Sequence, residues 1–228
     1  MRRQFKTAVA QACQWTKRNA TSLSGWCGFV AGVCVVAAGA SSFSDPKLIA
    51  SGVLEWTSFG TNAKWGKNDT DQEGEVVTPF SLTKGLVPWK YPMESFLLQQ
   101  GVCGLGYLSA GLDWDAVKFA ATQIFENPET LTTGHGSIVK VSGLVIQGAL
   151  CAVAPLAGNF AKNGKGWLHP RTISSAFLFA SSLVLGYAAV QTGSTLLGVA
   201  SGWFVASNVL SAVSRRQPTV KAPAPIPA

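Results

Sequence analysis

The stretch TISSAFLFASSLVLGYAAVQTGSTLLGVASGWFVASNVLSAVS, residues 172–214, decides the class of this fold. It holds 43 consecutive residues without a charge, and the polar break Gln191-Thr192-Gly193 divides it into two apolar halves. A helix of roughly 20 apolar residues crosses a hydrocarbon core about 30 Å thick. The pattern therefore predicts a transmembrane helical hairpin over residues 172–213.

Two further uncharged runs have the length of a membrane span. Residues 19–44 lack a charge over 26 positions and residues 141–161 over 21. They predict transmembrane helices over 22–40 and 136–157. Only 13% of the 228 residues are charged, against about 25% in typical soluble domains. We therefore predict an all-α polytopic integral membrane protein with about four transmembrane helices and the C-terminal hairpin, and we disfavour a large soluble enzyme.

The start of the chain is basic. Residues 1–20 carry five basic residues and no acid, with apolar residues at near-helical spacing. This pattern predicts a basic amphipathic cytoplasmic segment on an anionic membrane surface, with an organelle transit peptide as the alternative. The triplet Ala38-Gly39-Ala40 resembles a signal-peptidase site, so a long, cleaved signal peptide is the alternative to a retained helix over 22–40. We favour the retained helix because the basic segment before it is unusually long for a signal peptide.

All 11 acidic residues lie between residues 41 and 135, together with six lysines, so this region has a net charge of −5. We predict a large acidic extracytoplasmic region over 41–135, in which segments 46–59 and 115–125 are short amphipathic helices near the membrane–water interface. Segment 95–112 is uncharged, but its glutamines, glycines and serines dilute its hydrophobicity. We therefore expect it to be a re-entrant or peripheral element.

The basic residues indicate the topology, because basic residues near span ends stay on the cytoplasmic side. Residues 1–20, a basic loop over 158–171 and a proline-rich, disordered tail over 214–228 hold five, three and three of them, with no acid. Four spans place all three segments inside and both termini in the cytoplasm, and we expect a bacterial inner membrane. If 95–112 crosses fully, a second marginal span is needed, for which 48–59 is the candidate.

Small residues recur at the four-residue spacing that lets membrane helices pack closely. Such helices gain little from burying apolar surface against each other, because lipid offers the same environment, so close packing of small residues has to hold them together. We predict that these residues make helix-packing contacts in a compact bundle or a homo-oligomer. They are Gly28 and Gly32, Gly148 and Ala152, and Gly198, Gly202 and Ala206.

Three polar residues in or near the predicted spans are candidates for a polar path across the membrane: Lys140, Gln147 and Asn208. Intramembrane polar residues are the default functional candidates in such proteins. The alternatives are that Lys140 extends to the interface and that the two amides fix helix packing by hydrogen bonds. No acid lies inside a predicted span, which disfavours a transporter or proton relay.

Signatures of catalysis are missing from the sequence. It has no GxSxG, HExxH, P-loop or GxGxxG pattern, and its two histidines, His135 and His169, fall on opposite sides of the predicted membrane. Five cysteines without a CxxC pair favour neither a zinc site nor a disulfide framework. We therefore expect no enzyme and no catalytic, cofactor or metal site.

Packing motifs are abundant and chemical signatures are scarce, which favours a protein whose role is to be bound. The predicted function is a non-enzymatic integral membrane subunit or assembly factor of a larger membrane complex, for example secretion or conjugation machinery. The alternatives are a small oligomeric channel or transporter and a pilin-like exported subunit. The expected partners are the lipid bilayer, anionic lipid at the basic segments, and other membrane proteins or further copies of the chain, but not nucleic acid.

Overall fold

A computed structural model of the chain describes residues 2–65, 86–87, 92–126, 137–160 and 170–214. Within these ranges the regular structure is helical apart from a single β-bridge between Leu112 and Val139, which confirms the predicted all-α class. The described helices, in chain order, are α1 Arg2–Arg18, α2 Ala20–Ala38 with a π-helical extension Gly39–Phe43, α3 Pro46–Trp65, α4 Pro92–Gly111, α5 Trp114–Glu126, α6 Ser142–Phe160, α7 Pro170–Thr192 and α8 Thr195–Ser214.

Six of these helices form a closed ring, in the order α2, α3, α4, α6, α7 and α8, and α8 packs back against α2. Ring neighbours run antiparallel. The ring closes where Ser24 near the start of α2 meets Ser207 near the end of α8. Each serine hydroxyl donates to the other residue's carbonyl oxygen, at 2.9 and 2.8 Å. The first residue of α2 and the last residue of α8 therefore lie at the same end of the ring, which we call the terminal end.

Short connections fix two of the antiparallel pairs. Between α2 and α3, Ser44 takes the left-handed conformation with φ 50°, and the Asp45 carboxylate accepts the backbone N–H of Lys47 at 2.8 Å. A carboxylate at this position satisfies a free donor of the first helical turn and interacts favourably with the helix dipole. Between α7 and α8, Gly193 takes φ 66°, a conformation that glycine adopts without strain.

Glycines let two pairs of ring helices approach until their backbones touch. Between α2 and α3, a Cβ atom added to Gly32 would lie 2.6 Å from the backbone nitrogen of Trp56. Between α4 and α6, a Cβ atom on Gly104 would lie 2.5 Å from the nitrogen of Ala152 and 2.5 Å from the oxygen of Gly148. Such spacing is typical of helix pairs held together by close packing in a membrane.

The ring has an apolar core that also holds a set of polar side chains, and its outer surface is apolar. The buried polar side chains come from all six helices and include Ser24, Ser51, Glu55, Ser58, Gln100, Gln147, Ser181, Ser201 and Ser207. The same helices expose large apolar side chains, among them Trp26, Trp56, Leu105, Leu156, Leu183 and Trp203. Extended exposed apolar surface marks a membrane or protein contact. Among the described helices, three stretches are long and apolar enough to cross a membrane: Ala20–Phe43, Thr172–Thr192 and Thr195–Ala212.

Segment 46–59 is predicted to be a short amphipathic helix near the membrane surface. In the structure this segment belongs to α3, which packs between α2 and α4 in the ring. Its polar residues Ser51, Glu55 and Ser58 lie on one stripe that points inward, while Val53 points outward. The amphipathic pattern of a sequence predicts that a helix has a polar stripe. It does not predict where that stripe points, because the stripe can face either water or the interior of a bundle.

The other segment boundaries shift or lie outside the described residues. Residues 95–111 of the segment 95–112 belong to one continuous helix, α4, that packs on α3 and α6, and Leu112 follows its last residue. The helix predicted over 136–157 begins at Ser142 and extends to Phe160. Most of the predicted basic loop 158–171, nearly all of the tail 214–228 and both histidines lie outside the described residues.

The α2–α3 contact gives a test of the packing. We expect Gly32→Ala to lower the free energy of unfolding by about 1–3 kcal/mol, because the added methyl group meets backbone that cannot rotate away. Alanine is the better helix former by about 1 kcal/mol, so the same change at an open position should not destabilise. Gly60→Ala in α3 is the matched control, since a Cβ atom there has no neighbour within 4 Å. Denaturant titration in detergent measures both variants, and equal stabilities would contradict the close contact.

Candidate polar site at the centre of the helix ring

Glu55 lies inside the ring, near the midpoint of α3, with only 2% of its side chain exposed. Its carboxylate receives one hydrogen bond, from Nε2 of Gln100 on α4 to Oε2 at 2.7 Å, and the same nitrogen also donates to Ser58 Oγ at 3.0 Å. Within the described part of the chain, no basic side chain pairs with it. An ionised carboxylate without a counter-charge is costly in an apolar interior. The site therefore suits a group that brings positive charge.

A small cavity lies beside this carboxyl group. Its free space is about 10 Å³, which is close to what one water-sized guest needs. Five helices contribute to its walls, each within about one turn of its own midpoint. The cavity thus lies at mid-height in the ring. The lining residues are Glu55, Phe59, Gln100, Gln147, Leu178, Ser181, Ser182, Phe204 and Asn208.

The donors of Gln100, Asn208 and the two serines that line the cavity are already engaged within the protein. Ser181 and Ser182 both donate their hydroxyl hydrogens to the carbonyl oxygen of Leu178, at 2.8 Å. Asn208 donates through Nδ2 to Ser182 Oγ at 3.0 Å and to the carbonyl oxygen of Phe204 at 2.9 Å. The amide of Gln100 is used on Glu55 and Ser58. What these groups leave towards the cavity is oxygen lone pairs.

Gln147 adds an unused acceptor to the same wall. Its side chain is 2% exposed, and its Oε1 atom has no hydrogen-bond donor among the described residues. A buried amide oxygen without a partner costs about 1–3 kcal/mol, so its retention calls for an explanation. A guest that supplies positive charge or a donor hydrogen would satisfy Gln147 Oε1 and the Glu55 carboxylate together.

Bulky side chains lie on both sides of the cavity along the ring axis. Towards the terminal end, Phe59 packs edge-to-face against Phe96 and at a tilt against Phe204, with ring centroids 5.2 and 5.5 Å apart. Gly28 makes this possible, because any larger residue there would occupy the space that the Phe59 ring fills. Towards the opposite end, the fully buried Tyr107, Leu144, Leu185 and Leu197 fill the ring.

The structure brings two of the three predicted path residues together and separates the third. Gln147 and Asn208 both line the cavity, although the sequence placed them in different spans. Lys140 does not belong to this site: it is exposed and precedes the first residue of α6, Ser142. The helix that carries Gln147 begins after Lys140, so the two residues do not lie on one helix.

The predicted helix-packing residues have two different placements. Gly28 and Gly32 pack against α3, and Gly148 packs with Ala152 against Gly104 and its helix α4. In contrast, Gly198 and Gly202 on α8 are exposed, and a Cβ atom on Gly202 would have no neighbour within 4 Å. Ala206, on the same helix, is half-buried.

The sequence did not indicate Glu55 as a site residue, although a signal for it is present. Glu55 is the one charged residue between Lys47 and Lys64, close to the middle of a 16-residue stretch. A single acid at the centre of an otherwise uncharged, amphipathic stretch of helix is a pattern of intramembrane acids. This signal is hidden when all 11 acids of residues 41–135 are counted together, because the count assigns every acid to an exterior surface.

Within the described residues, no three His, Cys, Asp or Glu side chains come together in a metal-binding group. The oxygen-lined cavity is instead suited to holding one small guest by charge and by acceptor atoms. Comparison of the chain with protein-family models, with curated proteins and with solved structures finds no match.

Proposed function

We propose that this protein is a small integral membrane transporter or channel whose path runs through the centre of the six-helix ring. The observation that carries the proposal is the acceptor-rich cavity beside the buried Glu55. Intramembrane acids mark ion and proton paths, and transporter sites lie near the bilayer midplane. The sequence disfavoured this function because it placed no acid in a span, whereas with α3 as a proposed crossing Glu55 would be such an acid.

The dimensions of the ring support a membrane position for all six helices. They have 19 to 23 residues each, which corresponds to about 30 Å at 1.5 Å per residue and matches a hydrocarbon core. The outward apolar side chains support the same position, because they would meet lipid. In this arrangement α3 and α4 cross although their average hydropathy is low, since their polar residues face the interior.

Six crossings also distribute the basic residues more consistently than four. Both termini stay in the cytoplasm, and the chain between α3 and α4 joins them on that side with Lys64, Lys67, Lys84 and Lys90. Only Lys47, Lys118 and Lys140 of the 18 basic residues then lie outside, whereas four crossings leave seven outside. The orientation rule counts basic residues near span ends and gives acids little weight. The proposed location remains a bacterial inner membrane.

Transport by the purified full chain in liposomes tests this function. We expect proton or alkali-cation flux above that of protein-free liposomes, and we expect Glu55→Gln to lower it about tenfold or more. The reason is that losing a charged hydrogen-bonding partner costs about 1.5–3 kcal/mol, and 1.4 kcal/mol corresponds to a factor of ten. Asp115→Asn, an exposed acid on α5, is the matched control. Flux that is absent, or equal in Glu55→Gln, would contradict the proposal.

A second candidate function is the subunit of a larger membrane complex, and the outer face of α8 favours it. Gly198 and Gly202 point away from the ring, next to the exposed Trp203. Outward-facing glycines let the helix of another molecule approach closely. The inward-facing glycines are used within the chain, so α8 is the helix on which an outer contact is best supported.

Native mass measurement in mild detergent tests the outer contact. We expect a complex with further copies or with other membrane proteins, and we expect Gly202→Leu to shift it towards the monomer, because the added side chain separates the helices. Val209→Leu is the control, since Val209 is an exposed apolar residue on the same helix. A monomer for the unmodified chain would count against the subunit function.

The ends of the chain fit either function. In α1, residues 7–15 are exposed, which supports a position of this basic helix on anionic lipid. The helix α2 lies between α3 and α8, and Ala38 at its end is fully buried. Removing residues 1–40 would open the ring, so the contacts of α2 favour the retained helix, and the pilin-like alternative gains no support.

A further inference from the structure

We propose that the cavity beside Glu55 is a binding site for a single alkali-metal cation, such as Na⁺, with Glu55 as its counter-ion. This inference rests on the proposed transport function and identifies the class of ion that is transported. No described group of three or more metal-ligating His, Cys, Asp or Glu side chains surrounds the site, so the expected ligands are oxygen atoms with a single formal charge among them.

The charge and size of the site select the guest. One carboxylate balances one positive charge, whereas a divalent cation would leave an unpaired charge in an apolar interior, which is costly. The free space of about 10 Å³ excludes organic cations such as choline, since it is close to the room that one water-sized guest needs. A monovalent cation no larger than about a water molecule meets both conditions.

The state of the donors selects a cation over an anion. The donor hydrogens of Gln100, Ser181, Ser182 and Asn208 are engaged within the protein. Among the described lining residues an anion would therefore meet the Glu55 charge and oxygen lone pairs, with the Gln147 amide as the one remaining side-chain donor. Gln147 Oε1 is buried, lacks a donor in the described structure and lines the same cavity. Hard cations are held by carboxylate, amide and hydroxyl oxygens of this kind.

A proton is the natural competitor for the same carboxylate. When Glu55 is protonated, binding of the cation releases that proton to the solvent, so the charge of the site does not change. The other ionisable side chains near Glu55 are thiols and phenols, which are uncharged at neutral pH. The ones near Glu55 are Cys103 and Tyr107 from α4 and Cys151 from α6. The other described ionisable side chains on the neighbouring ring helices are Cys27 and Cys34 on α2, Glu94 on α4 and the exposed Tyr187 on α7.

Infrared difference spectroscopy of the detergent-solubilised full chain tests the inference without a membrane gradient. Choline chloride is exchanged for NaCl or KCl at constant ionic strength and at a series of pH values. We expect the alkali cation to abolish the carbonyl band of one protonated carboxyl group and to release one proton per protein. The band should be missing in Glu55→Gln and unchanged in Asp115→Asn.

A second variant keeps the test decisive if Glu55→Gln does not fold. Gln147→Met removes one oxygen ligand and keeps the carboxylate and the side-chain length. We expect it to retain the band and to need about tenfold more NaCl to abolish it, which corresponds to the loss of one polar contact to a charged group. An unchanged NaCl requirement would remove Gln147 from the site and overturn the ligand set.

The outcomes distinguish a failure of the cation site from a failure of the proposed transport function. A band that responds to pH but not to NaCl or KCl overturns the cation site, even if the liposomes show proton flux. A band that responds better to CaCl₂ than to NaCl overturns the assignment of a monovalent ion. Cation binding in detergent without flux in liposomes supports the cation site and contradicts the transport function.

Discussion

The buried carboxyl group of Glu55 is the constraint on which the rest of the ring depends. Such a group is tolerated in an apolar interior only when nearby donors or positive charges stabilise it. The neighbouring helix α4 supplies Gln100, and α6, α7 and α8 supply an amide, two hydroxyl groups and a second amide around the same cavity. These groups reach one point only because the six helices close into a ring. Around this site the helices turn their polar residues inward, and large apolar side chains of the same helices lie on the outside of the ring.

The glycines determine how small the site is. Because the backbones of α2 and α3 touch at Gly32, and those of α4 and α6 touch at Gly104, the ring is narrow. Gly28 leaves the space in which Phe59 reaches across to Phe204 on α8. Larger residues at these positions would separate the helices and widen the cavity beyond the size of a water molecule. Helix packing and the selection of a small guest are thus consequences of the same residues.

The sequence predicts the strongly apolar helices of this fold and misses the less apolar ones. Residues 19–44 and 172–214 predict α2, α7 and α8, because uncharged runs are visible in any average of hydropathy. The same average hides α3 and α4, since it gives an inward Glu55 or Gln100 the same weight as an outward one. What matters for a helix in lipid is which face each polar residue occupies, and that depends on packing against other helices.

Prediction of the candidate site from sequence is limited in the same way, because the placement of single residues also depends on how the helices pack. Gln147 and Asn208 are predictable, because a polar residue inside a long apolar run has few structural reasons to be there. The prediction for Lys140 depended on knowing where the helix begins. Sequence determines the first residue of a helix poorly, and Lys140 precedes α6 in the structure. The meeting of Gln147 and Asn208 with Glu55 was not predictable, since it depends on the order of helices around the ring.

The bulky side chains on either side of the cavity imply how the ring would have to work as a transporter. Phe59 and Phe96 lie on the terminal side of Glu55, and Tyr107 lies among the buried residues on the opposite side. An ion that leaves along the ring axis has to pass one of these two barriers, which therefore has to open. The backbone contacts of α2 with α3 and of α4 with α6 make each pair a unit that resists separation. Movement between these two units changes the seam of α3 and α4, where Glu55 meets Gln100. Access to the site and the stabilisation of its charge are therefore coupled through one hydrogen bond, so the state of the carboxyl group biases which barrier opens.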